Sequence, residues 1–157
     1  MVCNREHNDC DRISKLFLLE CDRLREITAC DFTAVALQQY KGLDIKWPFV
    51  SGNRNDKYKY ITVRLGKGIA GKVISSSSIM KIDNFPESID GKSTDYPIML
   101  AERLVSAFAV PLIWKGIPRG SLLVGYREAC EFTEKDYDKM KEIARRVEKL
   151  LPVYFLD

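Results

Sequence analysis

The chain has 157 residues, 46% of them hydrophobic, 10% aromatic and 30% charged, a composition that suits one domain burying roughly 70% of its unfolded surface and excludes a disordered one. Its 25 lysines and arginines against 22 acids leave a net charge of +3, and the two signs interleave, as in EKDYDKMKEIARRVEK, which reads as solvated helix faces and argues against a nucleic-acid-binding surface. No apolar run approaches the roughly 20 residues of a membrane span or supplies an early signal segment, so a cytoplasmic protein without membrane attachment is expected.

Residues 1–10 are polar and are expected to form a flexible lead-in to a domain spanning 11–157. Cys3, His7 and Cys10 are metal-ligand residue types, but three of them on a mobile end do not make a site, and no metal or cofactor is expected. The five cysteines are odd in number and contain no C-x-x-C pair. They read as free thiols, with Cys21 and Cys30 packed as small hydrophobes.

From Asp11 onward, Ile13, Leu16, Phe17, Leu24 and Ile27 recur near helical spacing, with Asp9 or Asp11 as N-cap. Phe32–Leu37 and Tyr58–Leu65 carry the β-branched and aromatic residues of strands, separated by KWPFV and the polar turn SGNRNDK. A short helix is expected from Ile69, a strand at SIMKI, and a mobile loop through Asp90–Asp95. A second helix is expected over Pro97–Phe108, with Pro97 in its first turn. AVPLIW and SLLVGYRE then form a hairpin around KGIPRG. Thr133 and Asp136 are spaced as a capping box for a final helix whose buried stripe is Tyr137, Met140, Ala144, Val147 and Leu151. Hairpin-linked strands flanked by terminal helices predict an α+β fold on an antiparallel sheet.

LGKGIAGKV (Leu65–Val73) satisfies two phosphate-binding patterns and fails the context of both. Gly66, Gly68 and Gly71 spell G-x-G-x-x-G, but no acidic residue stands at the end of a second parallel strand, where a dinucleotide site needs one. Gly66, Gly71 and Lys72 spell the start of a P-loop, but Val73 replaces its magnesium-binding hydroxyl. What both patterns share is a glycine-permitted helix start with unpaired N–H groups, at which an anion can sit or which merely lets a short helix pack closely on the sheet.

The succession VRLGKGIAGKVISSSSIMKIDNFPES, a variable loop, a helix, then SAFAVPLIWKGIPRGSLLVGYRE and a terminal helix resembles a GAF domain over about Ile13 to Leu151. The resemblance implies a central antiparallel sheet, N- and C-terminal helices on one face and a ligand cavity on the other. GAF domains serve several chemistries. Neither cysteine nor histidine occurs between Asp31 and Ala129, so bilin attachment, heme ligation and thiol-based reduction lack their residues. The Trp47-Pro48 pair, Ile69-Ala70 and the triplet Tyr96-Pro97-Ile98 are similar to the nitrate receptors within the family, small cytoplasmic proteins acting beside a sensor histidine kinase. The resemblance thus implies a nitrate site at Trp47, Ile69, Ala70, Tyr96, Pro97 and Ile98, with no catalytic residue. A homodimer is compatible with the charged last helix, where Arg145, Arg146 and Glu148 are candidates for partner contact. Two rivals are a GAF enzyme like the free methionine-R-sulfoxide reductases and a GAF module binding a cyclic nucleotide or other small organic effector.

The residues themselves suit such a ligand. Nitrate is planar, singly charged and weakly basic, so several neutral N–H donors in a compact apolar cavity serve it well. Ile69, Ala70, Ile98 and Met99 offer backbone N–H groups at two helix starts, with Tyr96 as N-cap, and Trp47 offers an indole donor. Pro48 and Pro97 restrict the aromatic residue before each to extended backbone. Lys67 and Lys72 are expected to be mostly solvated.

Overall fold

The computed structural model describes residues 2–39 and 42–155, with side chains from residue 10 onward. A long helix α1 (Val2–Thr28) precedes strands β1 (Phe32–Gln38) and β2 (Ile45–Ser51), a 3-10 turn at Lys57–Tyr60, and the two-residue β3 (Thr62–Val63). Helix α2 (Gly68–Ser76), β4 (Met80–Ile82), a 3-10 turn at Ser93–Asp95 and the short helix α3 (Pro97–Ala101) follow. The chain ends in β5 (Ser106–Trp114), β6 (Ile117–Tyr126), α4 (Glu134–Glu148) and α5 (Leu151–Tyr154). All strands join one sheet in the order β3-β2-β1-β6-β5-β4, and every pairing is antiparallel. No described helix is long and apolar enough to cross a membrane.

The sheet divides two apolar cores. Against α1, α4 and α5 it turns Val35, Leu37, Phe49, Phe108, Val110, Leu112, Leu122 and Val124. These meet Phe17, Cys21 and Leu24 of α1 and Met140, Ile143, Ala144 and Val147 of α4 at helical spacing. Phe17 stacks on Phe49 with ring centroids 4.3 Å apart. The opposite face carries Phe32, Leu123 and four alanines, Ala34, Ala36, Ala107 and Ala109. Because side chains alternate along a strand, large residues fall on the α1/α4 side and mostly small ones on the other, which leaves room there for α2 and α3 to approach.

A bulge sets the parity of β2. Val35 pairs with Phe49 and Leu37 with Lys46, so Ala36 alone faces both Trp47 and Pro48. The extra residue places Trp47 and Val50 in the alanine-side core while Phe49 turns toward α1. Pro48, which has no N–H to give the ladder, is accommodated where pairing is interrupted.

Several expectations need correction. Helix α1 begins at Val2 and runs on without a break, so neither Asp9 nor Asp11 is its N-cap; residues 2–10 contain no proline or glycine to stop it. Tyr58–Leu65 is not a strand of that length. Its first half is the 3-10 turn and only Thr62–Val63 pair, because this is the sheet edge and Tyr60, 86% exposed, has nothing to pack on. The helix from Pro97 ends at Ala101, not Phe108: Arg103 turns the chain at φ 53°, and Ser106–Phe108 are taken into β5 by pairing with β6. The hairpin turn is shorter than expected, with Lys115 and Gly116 both at positive φ. The capping box is present, with Thr133 N–H donating to Asp136 Oδ2 at 2.8 Å and Asp136 N–H to Thr133 Oγ1 at 3.4 Å.

Two charges offered for partner contact have internal roles. Arg146 Nε donates to Glu20 Oε1 of α1 at 2.8 Å, and Glu148 Oε2 accepts from the Ile113 N–H at 2.6 Å. At Gly71 a Cβ would stand 2.3 Å from the Arg64 carbonyl oxygen. Gly71→Ala is therefore expected to destabilise the protein by about 1–3 kcal/mol despite alanine's better helix propensity. Urea unfolding should show a lower midpoint with an unchanged slope.

Candidate functional site

The three stretches singled out in the sequence meet on the alanine side of the sheet. Trp47 (3% exposed), Ile69 (1%), Ala70 (1%), Tyr96 (1%) and Ile98 (2%) belong to one apolar cluster with Ile45, Val50, Phe85 and Met99. Pro97 lies half-buried at the cluster's rim as the first residue of α3, and Tyr96 is the N-cap. The start of α2 reaches the segment before α3: a Cβ on Gly68 would stand 3.6 Å from the Asp95 carbonyl oxygen. The Tyr96 ring meets Phe85 edge-on at 6.1 Å between centroids.

The backbone accounts for the site's polarity. Before α2, the N–H of Gly66 donates to Gly71 O and that of Lys67 to Arg64 O, both at 2.9 Å. Gly68, Ile69 and Ala70, the first turn, find no backbone acceptor among the described residues. Nor does Ile98, whereas the Met99 N–H is engaged by Tyr96 O at 3.1 Å and is not available to a ligand. Of the N–H groups named for the site, those of Ile69, Ala70 and Ile98 have no backbone acceptor among the described residues, and all three residues belong to the cluster.

Two charged residues that sequence reasoning placed elsewhere or passed over hold this arrangement. Lys72, expected in solvent, is half-buried, and its Nζ donates to Tyr96 Oη at 2.7 Å. Its place three residues after Ile69 on a helix was the available signal. Glu102, just past α3, is fully buried; its Oε1 accepts from Arg127 Nη2 at 2.9 Å and from the Arg54 N–H at 2.8 Å. Arg127 Nε also donates to the Glu102 carbonyl at 3.0 Å. No local pattern announced this pair, whose members lie on different elements.

The thiols stand apart. Cys21 and Cys30 belong to the core on the α1 side, across the sheet from the cluster. Burial, reinforced by Asp22, pushes the Cys21 thiol up to about 12, and burial also raises Cys30. Neither presents a thiolate to a ligand near neutral pH. Among the described residues no group of histidines, cysteines and carboxylates is placed to hold a metal.

The GAF domain family model matches residues 12–151. The chain is a GAF domain. Among solved structures, this GAF domain is similar to NreA from Staphylococcus aureus, described as mutated in its nitrate binding site, with 35% identity over 75% of this chain and 90% of that one and a TM-score of 0.69. It is similar also to an S. aureus protein described only as hypothetical, with 37% identity over 71% of this chain and 93% of that one and a TM-score of 0.67. A type II free methionine-R-sulfoxide reductase from Thermoplasma acidophilum shares the fold at a TM-score of 0.69 but only 16% identity, covering 90% of this chain and 94% of that one. No curated protein matches this GAF domain in sequence.

Its thiols give a direct check. A folded-state pKa raised above the unfolded one contributes stability that is present below about 9 and is lost as pH climbs toward about 12. In the folded protein at pH 8, iodoacetamide is expected to spare Cys21 and Cys30 and to label exposed Cys10, with all three labelled in urea, as read by peptide mass spectrometry.

Proposed function

We propose that this GAF domain is a nitrate receptor that reports its ligand to a sensor histidine kinase. The observation that carries the reading is that Ile69, Ala70 and Ile98, whose N–H groups have no backbone acceptor among the described residues, share one buried cluster with Trp47 and Tyr96. It is supported by the 35% identity to an NreA protein for which a nitrate binding site is described.

Physical chemistry favours this ligand class. Neutral donors in an apolar surround suit a weakly basic monoanion, whose desolvation is modest. A doubly charged anion such as sulfate would need closer countercharge than these donors provide. On this reading Trp47 and Tyr96, both buried, would close the site toward solvent, and the alanines of the sheet would back it without adding a polar competitor. Nitrate would accept from the N–H groups of Ile69, Ala70 and Ile98 and from the Trp47 indole. Met99 belongs to the wall and is not a donor.

None of the groups in the cluster performs chemistry on a ligand, so occupancy must be read through protein contact. Nitrate would favour one of two positions of the α3 segment, and the partner, a sensor histidine kinase of the NreB type, would bind one of them better and be restrained in its autophosphorylation when nitrate is absent. The reductase alternative would need a thiolate on this face of the sheet, whereas Cys21 and Cys30 lie on the other.

Calorimetry with nitrate, chloride, sulfate and cyclic nucleotides tests the reading: a nitrate isotherm with weak or absent response to the others is expected, and a nucleotide isotherm alone would replace it. Trp47→Ala should weaken nitrate binding by about 1–3 kcal/mol through loss of a charge-assisted donor and of water exclusion. Unchanged affinity in a folded variant removes Trp47 from the site.

A further inference from the structure

Among the described residues Lys72 is the one charged side chain with a hydrogen bond or cation–π contact to a buried member of the cluster. Its ammonium donates to Tyr96 Oη at 2.7 Å and stands 4.9 Å from the centroid of the same ring. It forms no salt bridge among the described residues, so its directed contacts are with this tyrosine. Tyr96 is 1% exposed, and a buried phenol oxygen without a partner would be costly. No other side-chain hydrogen bond among the described residues links α2 to the Ser93–Ala101 segment.

The two ends of this bond sit in the two stretches that supply the proposed donors. Lys72 follows Ala70 by two residues, and Tyr96 precedes Ile98 by two. Beyond that bond the segment is held by the burial of Tyr96, Ile98 and Met99 and, at its far end, by the Arg54 and Asn55 side chains on the Ala101 carbonyl, whereas the turn leading into Tyr96 is held lightly. The 3-10 turn before it is largely exposed, closed by the Tyr96 N–H to Ser93 O at 3.0 Å and by the Lys92 N–H to Asp95 Oδ2 at 3.1 Å. Five residues of α3 cannot hold themselves helical without tertiary support. On the nitrate reading a ligand enclosed by Tyr96 would leave as the ring swings or the segment lifts, and either motion breaks the bond to Lys72.

We infer that Lys72 is a positioning residue, a latch that holds Tyr96 closed over the ligand site and so sets how fast the ligand exchanges, without touching the ligand itself. The inference rests on the nitrate reading. The ammonium donates to the phenol oxygen, and none of its directed contacts among the described residues is to Ile69, Ala70 or Ile98.

The test is stopped-flow tryptophan fluorescence with nitrate on the full chain carrying Lys72→Met, Tyr96→Phe, both, or Lys72→Arg. Lys72→Met keeps the apolar stem and removes the donor. Association and dissociation rate constants are both expected to rise, on the order of tenfold, with the equilibrium constant changing much less, since the latch opposes entry and exit alike. Tyr96→Phe should do the same and the double variant no more than either, the signature of one shared interaction. Lys72→Arg, which can still donate, should restore slow exchange. Weaker equilibrium binding through dissociation alone would make Lys72 a ligand and overturn the latch, as would unchanged rates or additive effects. If the unmodified chain binds no nitrate, the receptor reading fails by itself. The latch is then decided by amide hydrogen exchange of residues 93–99 without ligand. Equally faster exchange in Lys72→Met and Tyr96→Phe supports it, and protection equal to the unmodified chain's refutes it.

Discussion

The central strands β1 and β6 are covered on both faces, and the period of two in a strand then obliges each residue from Phe32 to Leu37 to serve one of two cores. Val35 and Leu37 pack against α1 and α4, while Ala34 and Ala36 look the other way. Matched by Ala107 and Ala109 on β5, they make one face of the sheet bulky and the other shallow. The bulky face supplies stability. The shallow face is where short helices and loops, which bury less, stand near the sheet, and the proposed ligand groups lie on it.

The bulge at Trp47 and Pro48 depends on that division. Without the extra residue, Trp47 and Phe49 would share a face, and an aromatic would be lost from either the α1 core or the ligand side. Proline is unwelcome in a regular ladder because it cannot donate, and here it occupies the one place in β2 where the ladder is already broken. A residue pair that reads as a break in a strand is what lets the strand serve both cores.

Helix α3 is suspended between two charged attachments. At its entry the Tyr96 hydroxyl accepts from Lys72; at its exit the Glu102 carboxylate is held by Arg127 and the Arg54 N–H. The second is deeply seated, and Glu102 Oε2 has no partner among the described residues, so this end is fixed by the cost of displacing a buried charge. The first reaches toward solvent through a flexible lysine. A short helix pinned hard at one end and latched at the other is suited to move about its fixed end, and the proposed ligand groups lie at the latched end.

Elements with complete local signals were legible in the sequence. The Thr133–Asp136 box, the helical spacing of Ile13, Phe17 and Leu24 in α1 and of Met140, Ala144 and Val147 in α4, the β-branched and aromatic residues of Phe32–Leu37, the hairpin and the glycine-permitted start of α2 are signals carried by neighbouring residues. Leu16 and Ile27, expected on the α1 stripe, are nonetheless exposed. The resemblance of LGKGIAGKV and V-P-L with its hairpin pointed to the family. The three stretches of the candidate site were also nameable, because Trp-Pro, Ile-Ala after glycines and Tyr-Pro-Ile are distinctive side by side. The end of α3, the brevity of β3, the parity of β2 and the partner of Lys72 were not, since each is decided by a residue far away in the chain: β6 claims Ser106–Phe108, an unpartnered edge leaves Tyr60 in solvent, Ala36 faces two residues instead of one, and Tyr96 draws a lysine out of water. Sequence carries what neighbouring residues settle among themselves, and tertiary structure decides wherever a distant partner outbids local preference.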